Sequence, residues 1–330
     1  MRSERVAFLA RPRDWLDDVA RRSPARLTLA VFAGVIAVVT ALLQLPIATA
    51  TGTRAPFVDS LFTATSAVCV TGLVTVDSAT YWSTFGHGVI MVGIMVGGLG
   101  VMTLASILAL AVSRHIGLTQ RLLAQVETKT EALGEVGTLV RAVIIASLAI
   151  TTTLSFAFIP RFLTLGFGVG ESIWHGWFMA VSTFNNAGFV ILPGGLGGHA
   201  GDAWMSLPIL IGTFIGAIGF PVILSISSRL REPRRWSLHA KLTISTSLLL
   251  WGVGAVGVAA FEWSNSRTLG PLSVGEKLVA SLTAGMTPRS SGIDTVGVPD
   301  MSEASWFLQD ALMFVGGGSA STAGGIKVTT

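Results

Sequence analysis

The chain has 330 residues, of which 51% are hydrophobic and 12% charged, and its mean hydropathy is +0.69. Soluble domains carry roughly 25% charged residues, so this composition indicates an integral membrane protein and argues against a large soluble enzyme core. The net charge of +4 does not indicate nucleic-acid binding, because the basic residues cluster in loops between apolar segments. Cys69 is the single cysteine, which excludes internal disulfides and cysteine-based metal sites.

The chain begins with a basic segment, residues 1–26, which we expect at the cytoplasmic membrane surface and do not interpret as a cleavable signal. The predicted spans follow at residues 27–47, 85–112, 139–159, 204–228, 242–261 and about 305–315. Between the two spans of each successive pair lies an apolar helix too short to cross a bilayer, at residues 57–68, 171–183 and 273–287. The third of these opens with Ser273 and Glu276 at the spacing of a capping box.

Each short helix leads into a glycine-containing turn, which we interpret as a re-entrant pore loop. The turns are Val70, Thr71, Gly72 and Leu73; Asn186, Ala187, Gly188 and Phe189; and Ser290, Ser291, Gly292 and Ile293. The predicted fold class is therefore an all-α polytopic membrane protein with span–pore-loop–span units at residues 27–113, 139–228 and 242–330, around one central pathway. Cytoplasmic connectors are expected at residues 114–138 and 229–241.

The residue types in these turns favour a dehydrated monovalent cation. Rings of backbone carbonyl oxygens replace the water shell of such an ion, and glycine permits the conformations that direct successive carbonyls inward. The short helices direct their negative C-terminal ends at the same place. Asp77 and Asp294, just beyond two turns, either concentrate cations at the outer mouth or are ordinary surface acids. Asn185 and Asn186 are also expected to stabilise the turn by binding backbone groups.

The distribution of basic residues predicts the orientation of the chain. Sixteen of the 22 Lys and Arg residues lie in the N-terminal segment, in the two connectors or at Arg141, just after the first connector. Five lie on the opposite side, namely Arg54, Arg161, Arg267, Lys277 and Arg289. The N-terminus is therefore expected in the cytoplasm, and the glycine turns are expected to approach from outside.

The last predicted span is interrupted by a glycine-rich loop, residues 316–327. Its candidate functional residues are Gly316, Gly317, Gly318, Ser319, Ser321, Thr322, Gly324, Gly325 and Lys327. Each glycine costs a helix about 1 kcal/mol relative to alanine, so a continuous helix is disfavoured here. Two interpretations remain, a frayed tail and an intramembrane loop lining the pathway. Arg289 is expected to brace a loop and not to touch the ion. Lys327 is either a snorkelling lysine or a charge placed near the pathway.

Three sequence strings resemble the Trk/Ktr/HKT superfamily of potassium transporters. They are Val70-Thr71-Gly72-Leu73, Asn185-Asn186-Ala187-Gly188-Phe189 and the glycine-rich segment ending in Ser321–Lys327. The resemblance covers nearly the whole chain and is greatest to the Ktr-type membrane subunit, with one span before the first pore loop. The third turn departs from the family pattern, because residues 288–293 read Pro-Arg-Ser-Ser-Gly-Ile where the family usually has Arg-Thr-Ala-Gly-Phe.

The resemblance implies potassium uptake through a carbonyl-lined selectivity filter in the plasma membrane, with K⁺ as the transported ion and no cofactor in this chain. It also implies a homodimer with one pore per subunit, cytosolic nucleotide-binding RCK-type regulatory subunits, and a gate formed by the glycine-rich loop. The family has four units. Gly324 follows Gly292 too closely for two spans and a pore helix to intervene, so we expect a missing fourth unit and a chain that is a fragment or an incomplete gene product.

Two other classes remain as alternatives. A secondary transporter with broken helices would bind another small solute, such as an anion or amino acid, at mid-membrane. It would not need three similar glycine turns on one side. An intramembrane enzyme is less favoured, because the sequence has no paired aspartates, HExxH motif or Ser/Lys arrangement. No His pair has metal-ligand spacing. The chain is therefore predicted not to be an enzyme.

Overall fold

The computed structural model describes residues 24–115, 134–289 and 291–328. Most of the N-terminal segment, residues 116–133 of the first connector, and Ser290 of the third turn lie outside the described residues. The described part forms eleven α-helices and contains no β-strand, only two isolated bridges. The helices are α1 (Pro24–Leu43), α2 (Phe57–Val68), α3 (Ser78–Tyr81), α4 (Thr84–His115), α5 (Gly134–Thr164), α6 (Val169–Phe184), α7 (Ala203–Ile218), α8 (Phe220–Ser227), α9 (Leu238–Glu262), α10 (Val274–Met286) and α11 (Glu303–Phe314).

Among the described helices, α4, α5 and α9 are long and apolar enough to cross a bilayer, and the bent pair α7–α8 is a fourth candidate when taken as one span. The other two predicted spans correspond to α1, with an apolar part at Thr28–Leu43, and to α11, which has 12 residues. The three short helices, α2, α6 and α10, lie within two residues of their predicted bounds. The capping box of α10 is present, with the hydroxyl and backbone N–H of Ser273 both bonded to the Glu276 residue.

The prediction of one continuous span over residues 204–228 is wrong, because α7 and α8 meet at an angle of 100°. Gly219, at the corner, has φ +86° and ψ 157°, which is a backbone conformation open mainly to glycine. Pro221 follows and has no N–H to donate to the Ala217 carbonyl four residues earlier. The sequence around Gly219 therefore stops the helix and leaves carbonyl groups of its last turn without helical partners.

The three units share their cores instead of packing as separate bundles. The cluster around α1, α2 and α4 includes Phe178 and Val181 of the second short helix. The cluster around α5, α6 and α7 includes Ile293 of the third turn. At Gly97 the α4 backbone contacts the end of α2, since a β-carbon there would overlap the Val68 carbonyl oxygen. The two helices therefore approach closely at this glycine, and residues of the short helices and turns pack into the cores of neighbouring units.

A buried carboxylate joins the two helices of the third unit at one end. Glu262, the last residue of α9, is completely buried. One of its oxygens accepts bonds from the Ser302 N–H at 2.8 Å, the Ser302 hydroxyl at 2.7 Å and the Ser305 hydroxyl at 2.5 Å. The other accepts from Asn265 and Thr268, each at 2.6 Å. Since Ser302 is the N-cap of α11, this network fixes the start of α11 against the end of α9.

Candidate ion pathway

The three glycine turns, which are 104 residues or more apart in sequence, meet in the structure. A β-carbon added to Gly72 would lie 2.5 Å from the Ala187 carbonyl oxygen and 3.0 Å from the α-carbon of Gly188. A β-carbon on Gly188 would in turn lie 3.2 Å from the Ser291 carbonyl oxygen and 3.3 Å from the α-carbon of Gly292. The glycines therefore meet around one point, with carbonyl oxygens of the second and third turns facing the neighbouring glycine.

All three glycines have left-handed backbone conformations, with φ of 83°, 73° and 65° for Gly72, Gly188 and Gly292. A side chain at such a position is strained, at a cost of about 1–2 kcal/mol, apart from any clash. Conformation and close approach thus both require glycine at the position that the sequence analysis selected.

The first two short helices end in the same backbone motif. Val70 and Asn186 are both left-handed, with φ of 56°. In each case the N–H of the following residue donates to the carbonyl five residues earlier. Thr71 donates to the Ser66 carbonyl at 2.8 Å, and Ala187 donates to the Ser182 carbonyl at 2.8 Å. This Schellman ending directs the chain away from the helix axis into the turn. Valine is an unusual residue for that position, since its branched side chain opposes a left-handed backbone.

The third short helix, whose turn departs from the family pattern, has a different hydrogen-bond pattern at its end. Ser291 and Gly292 both donate their N–H groups to the Thr287 carbonyl, at 3.0 and 3.3 Å. The glycine nevertheless reaches the same point as the other two. The atypical sequence therefore changes how the helix ends and not where Gly292 lies.

The turns differ in burial. Ala187 and Phe189 of the second turn are buried by neighbours on both sides. In the first turn Thr71 is exposed and Leu73 is 61% exposed, and Gly292 of the third turn is also exposed. The described residues therefore surround the meeting point on three sides and leave the first and third turns uncovered on the fourth.

The glycine-rich loop leaves α11 and folds back on itself. Gly316 donates its N–H to the Ile326 carbonyl at 2.9 Å, Ile326 donates to Phe314 at 3.1 Å, and Val328 donates to Gly317 at 3.1 Å. Inside the loop, the Ser321 hydroxyl binds the Gly318 carbonyl at 2.7 Å. Residues 316–328 therefore form an ordered loop closed at its base, which contradicts the alternative of a frayed tail.

The loop binds the break between α7 and α8. Gly318 donates its N–H to the Ala217 carbonyl at 2.8 Å, the acceptor that Pro221 leaves free. Thr322 donates its N–H to the Gly216 carbonyl at 3.4 Å, and Phe220 donates to Ala320 at 3.3 Å. The loop thus supplies the hydrogen bonds that the broken helix lacks.

Side chains from the second and third turns also hold the loop. The Asn186 amide donates to the Thr322 hydroxyl at 2.9 Å, and this hydroxyl donates to the Gly216 carbonyl at 3.2 Å. Arg289, which is 1% exposed, donates to the Gly316 carbonyl at 2.8 Å and to the Ser247 carbonyl of α9 at 3.0 Å. These contacts fit the bracing role expected of Arg289. They connect two glycine turns directly to the loop.

The remaining singled-out residues have local roles. Asp77 caps α3 through the Ala79 N–H at 3.0 Å. Asp294 accepts three backbone N–H groups of its own turn, from residues 296–298, at 3.0 to 3.1 Å. Asn185 bonds back to the Val181 carbonyl at 2.9 Å, as expected of a turn-stabilising amide. The Lys327 ammonium binds the Ala323 carbonyl within the loop. No metal-binding cluster of His, Cys, Asp or Glu occurs among the described residues.

Sequence reasoning missed the surface to which the loop binds. Gly216, Gly219 and Pro221 were read as part of one span, although Gly219 and Pro221 two residues apart are a recognisable helix-breaking signal. It also missed that Thr322 faces Asn186, 136 residues away. Nothing in the sequence pairs those two positions.

Taken together, the fold defines a class: a helical membrane protein in which three glycine turns, each following a short helix, meet at one point. The chain matches the TrkH family of cation transport proteins over residues 12–330. It therefore belongs to this family, and the predicted resemblance is confirmed. The family is one of transport proteins and not of enzymes, in agreement with the prediction that the chain is not an enzyme.

Several relatives are similar over most of this chain. It is 38% identical over 293 residues to the Ktr system potassium uptake protein B of Bacillus subtilis, covering 88% of this chain and 64% of the relative. It is 33% identical over 314 residues to the potassium/sodium uptake protein NtpJ of Enterococcus hirae, covering 94% and 68%. This chain thus spans about two thirds of the length of these relatives.

The crystal structure of the potassium transporter TrkH from Vibrio parahaemolyticus has a similar fold, with a TM-score of 0.64 over 90% of this chain and 59% of that chain. The sequence identity is 18%, so the similarity concerns the fold alone. It confirms the predicted all-α polytopic membrane fold.

Proposed function

We propose that this chain supplies three of the four units of a potassium-uptake pore, with the selectivity filter at Gly72, Gly188 and Gly292. The observation that carries the proposal is the meeting of the three glycine turns. Carbonyl oxygens placed around one point replace the water shell of a monovalent cation. The relatives are named as potassium uptake and potassium/sodium uptake proteins, which supports potassium as the ion.

A fourth unit would complete the filter. The exposed sides of Thr71, Leu73 and Gly292 support an additional segment at this place, because a partly dehydrated ion needs oxygens on every side. The greater length of the relatives is consistent with such a unit. We therefore expect residues 1–330 to insert into the membrane without restoring potassium uptake by themselves.

The glycine-rich loop is the proposed gate. Its contacts with Asn186 and Arg289 support a position next to the filter turns, and its many glycines support movement once those contacts break. Deleting residues 316–325 in the completed protein should raise potassium flux. Lower flux with normal insertion would make the loop a structural support.

Orientation, location and partners complete the proposal. The 16 basic residues in the N-terminal segment, in the connectors and at Arg141 support a plasma-membrane protein whose N-terminus is in the cytoplasm. Assembly as a homodimer with cytosolic RCK-type subunits follows from the resemblance to Ktr systems. Reporter fusions at each connector test the orientation, and the mass of the detergent-solubilised protein tests the dimer.

A broken-helix secondary transporter remains the second candidate, because two interrupted helices, α7–α8 and α11 with its loop, meet in this fold. In such transporters the free helix ends bind the solute. Here the loop occupies the carbonyl groups of Gly216 and Ala217, which favours a gate. Uptake of labelled potassium against competing cations, anions and amino acids separates the two candidates.

The decisive experiment measures growth and isotope uptake in potassium-uptake-deficient cells. Residues 1–330 should fail to rescue growth, and the same chain carrying a fourth span–pore-loop–span unit should rescue. In the completed chain, Gly72→Ser should lower the potassium-to-sodium uptake ratio, because the new side chain meets the Ala187 carbonyl. Gly34→Ser on α1, where a β-carbon meets nothing within 4 Å, is the matched control. Rescue by residues 1–330 alone, or an unchanged ratio in Gly72→Ser, would refute the proposal.

A further inference from the structure

The segment that follows α8 forms a compact basic hairpin, defined here as residues 228–241. It contains five exposed cations, Arg229, Arg231, Arg234, Arg235 and Lys241. Its one carboxylate, Glu232, pairs with Arg235 at 3.0 Å. Such an excess of one sign on a short segment attracts a partner of the opposite charge.

Internal hydrogen bonds give the hairpin a fixed shape. The Trp236 indole donates to the Arg229 carbonyl at 3.0 Å, Arg229 donates to the Arg235 carbonyl at 3.1 Å, and Lys241 donates to the Arg234 carbonyl at 2.7 Å. Within the part of the chain that the structure describes, the guanidinium groups of Arg231 and Arg234 have no hydrogen-bond or ion-pair partner. These two cations are therefore the ones presented to an external anion.

The hairpin lies at the level of a membrane surface. α9 has 25 residues, about 37 Å at 1.5 Å per residue, so its ends extend beyond a hydrocarbon core of about 30 Å. The hairpin precedes the first turn of α9, and α8 packs beside Ala240 in that same turn. Since α8 leaves α7 at 100°, it runs nearly parallel to the membrane surface at this depth.

Apolar side chains are exposed beside the cations. Leu230 is 68% exposed and Leu238 is 73% exposed, at the two sides of the hairpin. A solvated protein partner would not need them, but apolar groups among cations are typical of segments that enter the boundary between headgroups and acyl chains.

From these observations we propose that the hairpin binds the headgroups of anionic phospholipids, with Arg231 and Arg234 as the principal contacts. Leu230 and Leu238 would enter the acyl region beside them. The proposal needs membrane insertion but neither potassium selectivity nor a fourth unit. The lipid proposal can therefore fail while the proposed potassium-uptake function stands, and the proposed function can fail while the lipid proposal stands.

The test uses purified residues 1–330 in neutral detergent. The protein is titrated with phosphatidylglycerol or with phosphatidylcholine of the same acyl chains, and native mass spectrometry counts the bound lipid molecules. Phosphatidylglycerol should bind more tightly than phosphatidylcholine, and its affinity should fall as the salt concentration is raised. Arg231→Gln with Arg234→Gln should weaken its binding about thirtyfold, since each cation near an anionic surface contributes about fivefold.

Two controls keep the result interpretable. Arg54→Gln with Arg267→Gln removes the same charge from exposed arginines outside the hairpin and should leave phosphatidylglycerol affinity within about threefold. Arg231→Lys with Arg234→Lys keeps the charge and should retain binding, which also covers the case in which the glutamine pair fails to fold. Equal affinity for the two lipids, equal loss in the control pair, or displacement of lipid by millimolar inorganic phosphate would overturn the proposal.

Discussion

The contact between Asn186 and Thr322 gives the most direct test of how the glycine-rich loop is held. Thr322→Val keeps the shape of the side chain and removes only the hydroxyl. That hydroxyl accepts from the Asn186 amide at 2.9 Å and donates to the Gly216 carbonyl at 3.2 Å, and all three groups are buried. The substitution therefore breaks the side-chain bond between Asn186 of the second glycine turn and Thr322 of the loop.

The expected loss of stability is about 2 kcal/mol. A buried amide donor left without a partner costs about 1–3 kcal/mol, and the Asn186 amide has the Thr322 hydroxyl as its partner in the structure. The Gly216 carbonyl adds little, because it still accepts the Thr322 N–H. Thr322→Ser keeps the hydroxyl and should cost less than about 1 kcal/mol.

A double-mutant cycle measures the contact itself. Asn186→Gly removes the amide and still fits the left-handed backbone at that position. The free energy of unfolding in mixed detergent micelles is measured for both single variants and for the double variant. We expect a coupling energy of about 1–2 kcal/mol between the two positions. Additive losses, within about 0.3 kcal/mol, would show that the two side chains do not stabilise each other and would refute this reasoning.

Three further predictions concern a helix ending, a buried arginine and an exposed capping carboxylate. Val70→Asn should raise stability by about 1 kcal/mol, because asparagine tolerates the left-handed conformation that Asn186 already adopts in the second turn. A thermal or detergent unfolding assay measures the change. A loss of stability would mean that the packing of the valine side chain outweighs its backbone strain. Arg289→Met should cost about 2–4 kcal/mol, because the Gly316 and Ser247 carbonyls both lose their Arg289 donor. Arg267→Met, at a side chain 72% exposed, should change stability by less than about 0.5 kcal/mol. Equal effects of the two substitutions would contradict the bracing role. The Ser273 N–H and hydroxyl hold the pKa of Glu276 below its ordinary value, so its contribution is present above the unfolded pKa and is lost as the pH falls through the folded pKa. Glu276→Gln should therefore lose less stability on acidification than the original chain, and an identical pH profile would contradict the capping role.

Local sequence signals were enough for the elements and for the position of the glycine turns. Apolar length separated helices able to cross a bilayer from the three short ones, because the hydrocarbon core sets a minimum number of residues per crossing. The capping pair Ser273 and Glu276 marked the start of α10, since both partners lie within one turn of helix. The glycine turns were recognisable because a left-handed backbone limits the choice of residue at one position.

The break at Gly219 shows where sequence reasoning stopped short. Gly219 and Pro221 are visible helix breakers, yet membrane helices often contain both residues without ending. Here the helix can end at Gly219 because a partner from elsewhere in the chain, the N–H of Gly318 in the loop, donates to the Ala217 carbonyl. A buried helix end is tolerated only with such a partner, and its identity depends on the tertiary arrangement.

The sequence by itself determined the membrane class, the three short helices and the residues that form the glycine turns, because each follows from composition or from a conformational preference within a few residues. Only the tertiary structure decided that the three glycines meet and that the second and third turns hold the loop through Asn186 and Arg289. It also decided that the loop binds the end of α7. These are contacts between buried polar groups far apart in the chain, and any of many donors could satisfy a given carbonyl until packing brings one of them within hydrogen-bonding distance.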